Sequence, residues 1–413
     1  MIQHFNENFN YNFFTELRVK SGEWRWALNN NITAKDGKNM KLIHTADWHL
    51  GKIIFSRSML ELQAEFTDNF LKPLILSEKP DALVLAGDIF DRSIAPTEAI
   101  KMLDDFIGFM SEAKIPLLAI TGNHDGRERI TLGASILKQS GIHIATDIKD
   151  AFEPVVLEKG GEKYCFYLIP HFDPPSAREF FGDDGIKSFG DSYKALTDKL
   201  YEQLDDKCVS IAVSHCFMSG CTVSDSESPV YIGASGEVSG ELFKGFDLTL
   251  LGHLHSPQQA GENGYYSGSP LKYSFGEQNS QKGVNIFELE NGAISRRFEE
   301  FKPSLDMRVI SGEFEKLMED GKANPSDDFI HIHLTDKKPI FMPLQRLREF
   351  YPNILEMSSE LISAPGELLS TPSKRSFGDP VELFCEFSKQ ICGTDADSEE
   401  IELFRKIAEE ALG

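Results

Sequence analysis

Asp47 and His49 stand two residues apart at the end of the apolar run 42–46. The arrangement recurs. Asp88 and Asp91 follow Gly87 after the run 82–86, and Asn123, His124 and Asp125 follow Gly122 after 117–120. His215 ends the run 209–214, and His253 and His255 follow Gly252 after 248–251. Each residue type has a reason to meet a cation. A carboxylate such as Asp88 has two oxygens and can bridge two ions. Imidazole nitrogens suit Mn, Fe, Zn or Ni better than Mg or Ca, which prefer oxygen. His253 and His255 can serve neighbouring ions if their loop bends. The inventory suffices for two cation positions sharing Asp88. Two cations ~3.5–4 Å apart activate water and stabilise both oxygens of an in-line displacement at phosphorus. Singly, a strand-end Asp is usually a helix N-cap and Asn123 after Gly122 is ordinary turn chemistry. Five such strand ends in one chain are what that plainer reading would have to explain.

The elements that must position these residues read as strands alternating with helices. Helices are expected over 57–77 and 96–112, with Pro96 in the first turn. Later strands fall at 164–169, 209–214 and 248–251, with a helix over 191–204. This alternation predicts an α/β layered core, in which ligands bind off the carboxyl ends of the strands. Residues 263–302 read as a β-meander with turns at Gly276, Gly283 and Asn291-Gly292. In helix 96–112 the stripe Ile100, Leu103, Phe106, Ile107 and Met110 is expected to pack mostly on the sheet.

A second unit follows Pro303. Residues 329–334 read as a strand with His331 and His333 on one face, and 344–351 as a short helix stopped by Pro352. The Ser-, Pro- and Gly-rich stretch 362–379 reads as a linker. Beyond it Asp379 can cap a helix that Pro380 opens and Gly393 ends. Its face carries Val381, Phe384, Cys385, Ser388, Ile391 and Cys392. A second helix starts near Asp397, with Glu400 as capping-box partner and Ile401, Phe404, Ala408 and Ala411 along one stripe. Tethered amphipathic helices of this kind fit a partner's groove.

Composition narrows the classes. The chain has 413 residues, 41% hydrophobic and 26% charged, which is globular. With 42 Lys plus Arg against 65 Asp plus Glu its net charge is −23, which excludes a free-standing nucleic-acid sponge. No apolar run approaches the ~18 residues of a membrane span. The six cysteines (Cys165, Cys208, Cys216, Cys221, Cys385 and Cys392) show no C-x-x-C pair and read as reduced thiols in the cytosol. Residues 1–39 are rich in Asn and lack a secretory h-region. They read as a disordered leader before a folded enzyme that begins at Met40.

The ordered pattern D-x-H, G-D-x-x-D, G-N-H-D, H and G-H-x-H resembles the calcineurin-like metallophosphoesterases, two-metal hydrolases of phosphate esters. Three further features are similar to the SbcD family of nuclease subunits. They are residues 218–258 with Ser224-Asp225-Ser226-Glu227 and Gly252-His253-Leu254-His255-Ser256-Pro257, the run 266–275, and Arg346-Leu347-Arg348 with Tyr351-Pro352-Asn353. The resemblance runs from Met40 to the C-terminus. It implies a four-layered α/β/β/α sandwich over 40–302, a capping domain over 303–361 that positions DNA, and C-terminal helices over 380–413. Those helices would bind the coiled-coil ATPase SbcC. It implies that Asp47, His49 and His255 hold one metal, that Asn123, His215 and His253 hold the other, and that Asp88 bridges. His124 would protonate the leaving oxygen, Asp91 would orient His124, and Arg92 would contact phosphate. The activity implied is Mn²⁺-dependent: 3′→5′ exonuclease on double-stranded DNA, and endonuclease on hairpins and single strands. It would reside in a cytoplasmic particle with two copies of each subunit, paired through helices of the nuclease domain. The rival classes are a phosphatase on small esters and a non-catalytic tethering subunit. The presence of His124 and every candidate ligand weighs against the latter.

Overall fold

The computed structural model describes residues 39–131, 133–224, 227, 236–360, 381, 384–385, 388–389 and 396–412, with the backbone of 14–18 and 24–28. Its strands form two six-stranded sheets. In the first, Met40–Thr45, Ala82–Ala86, Leu117–Ile120 and Ile142–Ala145 run parallel. The antiparallel strands Gly283–Glu290 and Ala293–Glu300 extend it on the Met40–Thr45 side. In the second, Glu162–Ile169, Cys208–His215, Leu248–Gly252 and Gly264–Tyr266 run parallel, with antiparallel edges Val155–Lys159 and Gln258–Ala260.

Alternate side chains of each strand enter different cores, which is why the runs are apolar throughout. Leu42, Val84, Leu118 and Ile120 meet Tyr164, Phe166, Ile211, Val213 and Leu250 between the two sheets. Ile43, Leu83, Leu85 and Ala119 face outward onto helix Thr97–Ala113, through its Leu103, Phe106 and Met110. Tyr167, Ile169 and Ala212 face outward onto helix Phe189–Tyr201. The order is therefore helix, sheet, sheet, helix. Along Thr97–Ala113 the expected stripe packs inward except at Ile100, which is 48% exposed.

Several expectations are corrected. Helix 57–77 begins later: Arg57–Ser58 pairs with Ile53–Ile54, and the helical run starts at Leu60, passes through a π-helical stretch Glu65–Leu71, and ends at Glu78. Pro96 is the N-cap, outside the first turn. The stretch 263–302 is no single meander. Gly264–Tyr266 joins the second sheet, and only Gly283–Glu290 and Ala293–Glu300 form a hairpin, in the first. That hairpin turns on Asn291 and Gly292, both at positive φ, as a type I′ turn demands.

Cys165 and Cys208 are disulfide-bonded, against the expectation of reduced thiols. Lys163 pairs with Cys208 and Cys165 with Ser210, so the two cysteines are diagonal neighbours on adjacent parallel strands. A sequence separation of 43 hides that proximity. Cys216, Cys221 and Cys385 are free. The leader departs from the expected disorder at Phe14–Arg18 and Trp24–Leu28, which pair antiparallel. Their aromatic content suits strands.

Downstream, Met307–Gly312 pairs in parallel with Phe329–Leu334, and Ile354–Ser359 completes a small sheet against helix Phe314–Ala323. Phe314, Ile330, Ile332 and Leu347 form its core, while Met307 and Phe329 join the core of the first sheet. The expected helix over 344–351 is shorter, Pro343–Leu347. The chain divides into two compact units, Met1–Leu334 with Ile340–Met357, and Thr335–Pro339 with Ser358–Gly413. In the second, Asp397 and Glu400 exchange capping hydrogen bonds at the start of Ser398–Leu412. Phe404 stacks on Phe384 at 4.3 Å, so the two expected apolar faces meet there. The linker 362–379 and Asp379, Pro380, Ile391, Cys392 and Gly393 lie outside the described residues.

Candidate metal centre

The parallel strands of both sheets end at one edge, and their following loops carry the candidate ligands. The first-sheet loops are forced close together. Asp47 N donates to Gly87 O (3.0 Å), and His49 N donates to Asp88 O (2.9 Å). Asp47, His49 and Asp88 hold φ near +50°, and His253 lies at +106°. Left-handed backbone at a non-glycine residue costs of order 1–3 kcal/mol and persists only where its surroundings over-determine it.

The glycines before the ligands explain themselves here. A Cβ on Gly122 would lie 2.2 Å from Asp88 Oδ1, and one on Gly252 would lie 1.8 Å from Ala86 O. The motif glycines thus let one ligand-bearing loop press on the next. Asp125, named by the motif, is a clamp. Its carboxylate accepts from the backbone N–H groups of Ile89, Phe90 and Gly122 at 2.9–3.1 Å. Burial, with the charge of Asp88, pushes its carboxyl up to about 6.

Two groups of donors result. In the first, His49 Nε2 and His255 Nε2 face each other at 3.1 Å, and Asp47 lies close enough to share a cation with both. In the second, the Oδ1 atom of Asn123 lies 3.0 Å from His215 Nε2 and 3.1 Å from His253 Nδ1. Asp88 stands between: its Oδ2 is 3.7 Å from His49 Nε2 and 3.4 Å from His215 Nε2. The structure therefore brings Asp47, His49, Asp88, Asn123, His215, His253 and His255 together.

The donor set fits divalent cations. Asp47 and Asp88 are buried, and burial pushes Asp47 up to about 7 despite His215 and His255. Asp88 is held below the ordinary carboxylate range: burial opposes this, but His215, His49 and His124 together outweigh it. His215 reaches about 9, because the charge of Asp88 and Asp47 overrides the effect of burial. His49 Nδ1 is buried with no hydrogen-bond partner. Two buried carboxylates facing several imidazole nitrogens make a mixed oxygen and nitrogen set that suits such a cation.

His124 sits beside the groups, half-buried, with its ring 4.8 Å from that of His49. Its N–H donates to Asp88 Oδ1 (2.9 Å), and its Nδ1 donates to the Asp91 carbonyl (2.8 Å). Asp91 thus meets His124 through its backbone, while its carboxylate takes Lys52 Nζ at 2.8 Å. The contact that could orient His124 is thus a main-chain one, and a main-chain oxygen leaves no sequence signal. Arg92 is exposed, with no hydrogen bond or ion pair among the described residues.

Sequence reasoning missed the supports. Gln63 Nε2 donates to the carbonyls of Trp48 and His49 (3.1 and 2.8 Å) and its Oε1 accepts from Gly51 N (3.0 Å), holding the first loop. His171 donates from its backbone to Thr121 O (2.8 Å) and from Nδ1 to His215 O (3.3 Å). Glu277 lies behind His255, paired with Lys282. None has a motif spacing, because each reaches the site from a distant element.

The family model for calcineurin-like phosphoesterases matches residues 40–257, and that for the type 5 capsule protein repressor C-terminal domain matches 303–391. A Staphylococcus saprophyticus protein named as the D-type subunit of the nuclease SbcCD is 35% identical over 324 residues, 78% of this chain and 85% of its own. One of the same name from Staphylococcus epidermidis is 34% identical over the same shares. With both sheets carrying the ligand-bearing loops such a match requires, the chain belongs to the calcineurin-like phosphoesterase family and, within it, to the family of these SbcCD nuclease subunits.

Proposed function

We propose that the chain is a metal-dependent nuclease, the D-type subunit of an SbcCD complex, hydrolysing DNA phosphodiesters with two divalent cations. One observation carries the two-cation reading: a single oxygen, Asp88 Oδ2, faces an imidazole nitrogen of each donor group. On this reading Asp47, His49 and His255 hold one cation, Asn123, His215 and His253 hold the other, and Asp88 bridges. Mn²⁺ suits that mixed oxygen and nitrogen set. When bound, the cations polarise the phosphoryl oxygens and lower the pKa of a water.

The chain's own groups do the rest. His124 is tied to Asp88 through its backbone and to the Asp91 carbonyl through Nδ1. That leaves Nε2, in the imidazolium form of the ring, as the atom to hand a proton to the departing 3′-oxygen, the ring ending neutral with its proton on Nδ1. On the same reading the exposed Arg92 meets a phosphate with its guanidinium.

The reading extends to the domains. Residues 40–302 are the nuclease, 303–361 a cap that positions DNA, 362–379 a linker and 380–413 the SbcC-binding segment. The net charge of −23 supports a partner that supplies much of the DNA affinity, because phosphate contacts dominate such binding. The working particle is a homodimer of this chain with two SbcC subunits. It cleaves duplex ends 3′→5′ and hairpins or single strands internally, in repair, recombination and replication. No helix among the described residues is long and apolar enough to cross a membrane. A cytoplasmic site, nucleoid-associated on DNA, rests on family membership; the Cys165–Cys208 bridge is atypical of a reducing compartment.

The test is a Mn²⁺-dependent assay on hairpin DNA against a small chromogenic phosphodiester, with and without SbcC. Hairpin cleavage stimulated by SbcC is expected. Turnover of the small ester alone, indifferent to SbcC, would favour the phosphatase reading.

A further inference from the structure

Two candidate imidazole ligands differ in what holds the ring from behind. The Nδ1 of His215 donates to a main-chain carbonyl, Ala86 O, at 2.8 Å. His255 Nδ1 instead faces a carboxylate, Glu277 Oε1, at 3.4 Å. That carboxylate is 1% exposed and paired with Lys282, which is 4% exposed. Glu277 Oε1 is itself oriented by Tyr273 N (3.3 Å) and Ser274 Oγ (3.5 Å). Lys282 Nζ reaches the same histidine from its other end, donating to His255 O at 2.7 Å and to Ser269 Oγ at 2.8 Å. Ser269 N also donates to His255 O. One buried ion pair therefore grips both the ring and the backbone of His255.

Such a pair does not explain itself by stability, since burying two charges costs about what their attraction returns. A carboxylate behind a ligating imidazole fixes the tautomer and raises the basicity of the other nitrogen. Here that nitrogen is His255 Nε2, which faces His49 Nε2 in the first donor group. We propose that the Glu277–Lys282 pair positions His255 and thereby sets the affinity of the first cation position, leaving the second untouched. The proposal rests on the two-cation reading above. Glu277 and Lys282 are positioning residues; neither reaches the reacting atoms.

The test titrates Mn²⁺ into the metal-stripped full chain, read by calorimetry and by the electron-spin signal of free Mn²⁺. Wild type should bind two equivalents. Glu277→Gln, a neutral isostere, should weaken one position ~10–100-fold, the range for losing a supporting partner. The other affinity should stay as in wild type. Hairpin cleavage should need correspondingly more Mn²⁺, with kcat little changed at saturation. The double variant Glu277→Gln, Lys282→Met removes both charges together, so it tests the same loss should an unpaired Lys282 upset folding. A folded variant with both affinities unchanged, or both weakened alike, would overturn the proposal while the two-cation reading stands. Wild type binding fewer than two Mn²⁺ would bring down that reading and this inference together.

Discussion

The two donor groups are built from the same residue types and supported by different means. In the group around His215 and Asn123 a main-chain carbonyl, Ala86 O, holds the His215 ring, motif glycines let the loops touch, and His171 reaches only the His215 backbone. The group around His49 and His255 is supported by side chains from distant elements, Gln63 in front and the Glu277–Lys282 pair behind. Backbone support is set once the strands pair in register. Side-chain support can be altered one residue at a time. The first position is thus the tunable one, while Asp88 faces both groups.

The largest effect should come from the shared residue. Asp88→Ala should lose both cations and bring hairpin cleavage below detection, with metal content read by mass spectrometry. Two full equivalents in the folded variant would break the idea that the groups share an oxygen. Next is His124, which belongs to neither group. His124→Ala should keep both cations and bind DNA, yet cleave ~10²–10⁴-fold more slowly. A substrate with an easily expelled leaving group should recover part of that loss. If metal is lost instead, His124 is a ligand and the comparison needs a third member.

The groups can then be separated. His215→Ala should weaken the second cation position by at least the ~10–100-fold of a lost supporting group, and His255→Ala the first. Equal losses at both positions in each variant, followed by Mn²⁺ titration, would mean that the groups act as one. The smallest effect is expected at the rim. Arg92→Ala should raise KM for DNA a few-fold at most, because an exposed charge contact is worth ~0–1 kcal/mol. A large fall in kcat with KM unchanged would place Arg92 nearer the chemistry than its exposure suggests.

Much of this centre was legible in the residues because ligand type and strand-end position are local properties. Asp47, Asp88, Asn123, His215 and His253 each follow an apolar run that could only be buried, and for Asp88, Asn123 and His253 a glycine stands just before the ligand. The capping box at Asp397 and Glu400 was readable for the same reason, since it is closed within three residues.

Only the tertiary structure decided what depends on register and on long-range approach. It assigned Gly264–Tyr266 to one sheet and Gly283–Glu290 to the other, because alternating polarity marks a strand without naming its neighbour. It joined Cys165 to Cys208 across adjacent strands, a pairing set by strand register. It brought the Asp91 carbonyl to His124, and placed Glu277 and Lys282 behind His255 from a stretch that carries no motif. A sequence fixes which groups can bind a cation; the fold decides which nitrogen of each faces it, because tautomer and ring orientation are set by the neighbour on the far side.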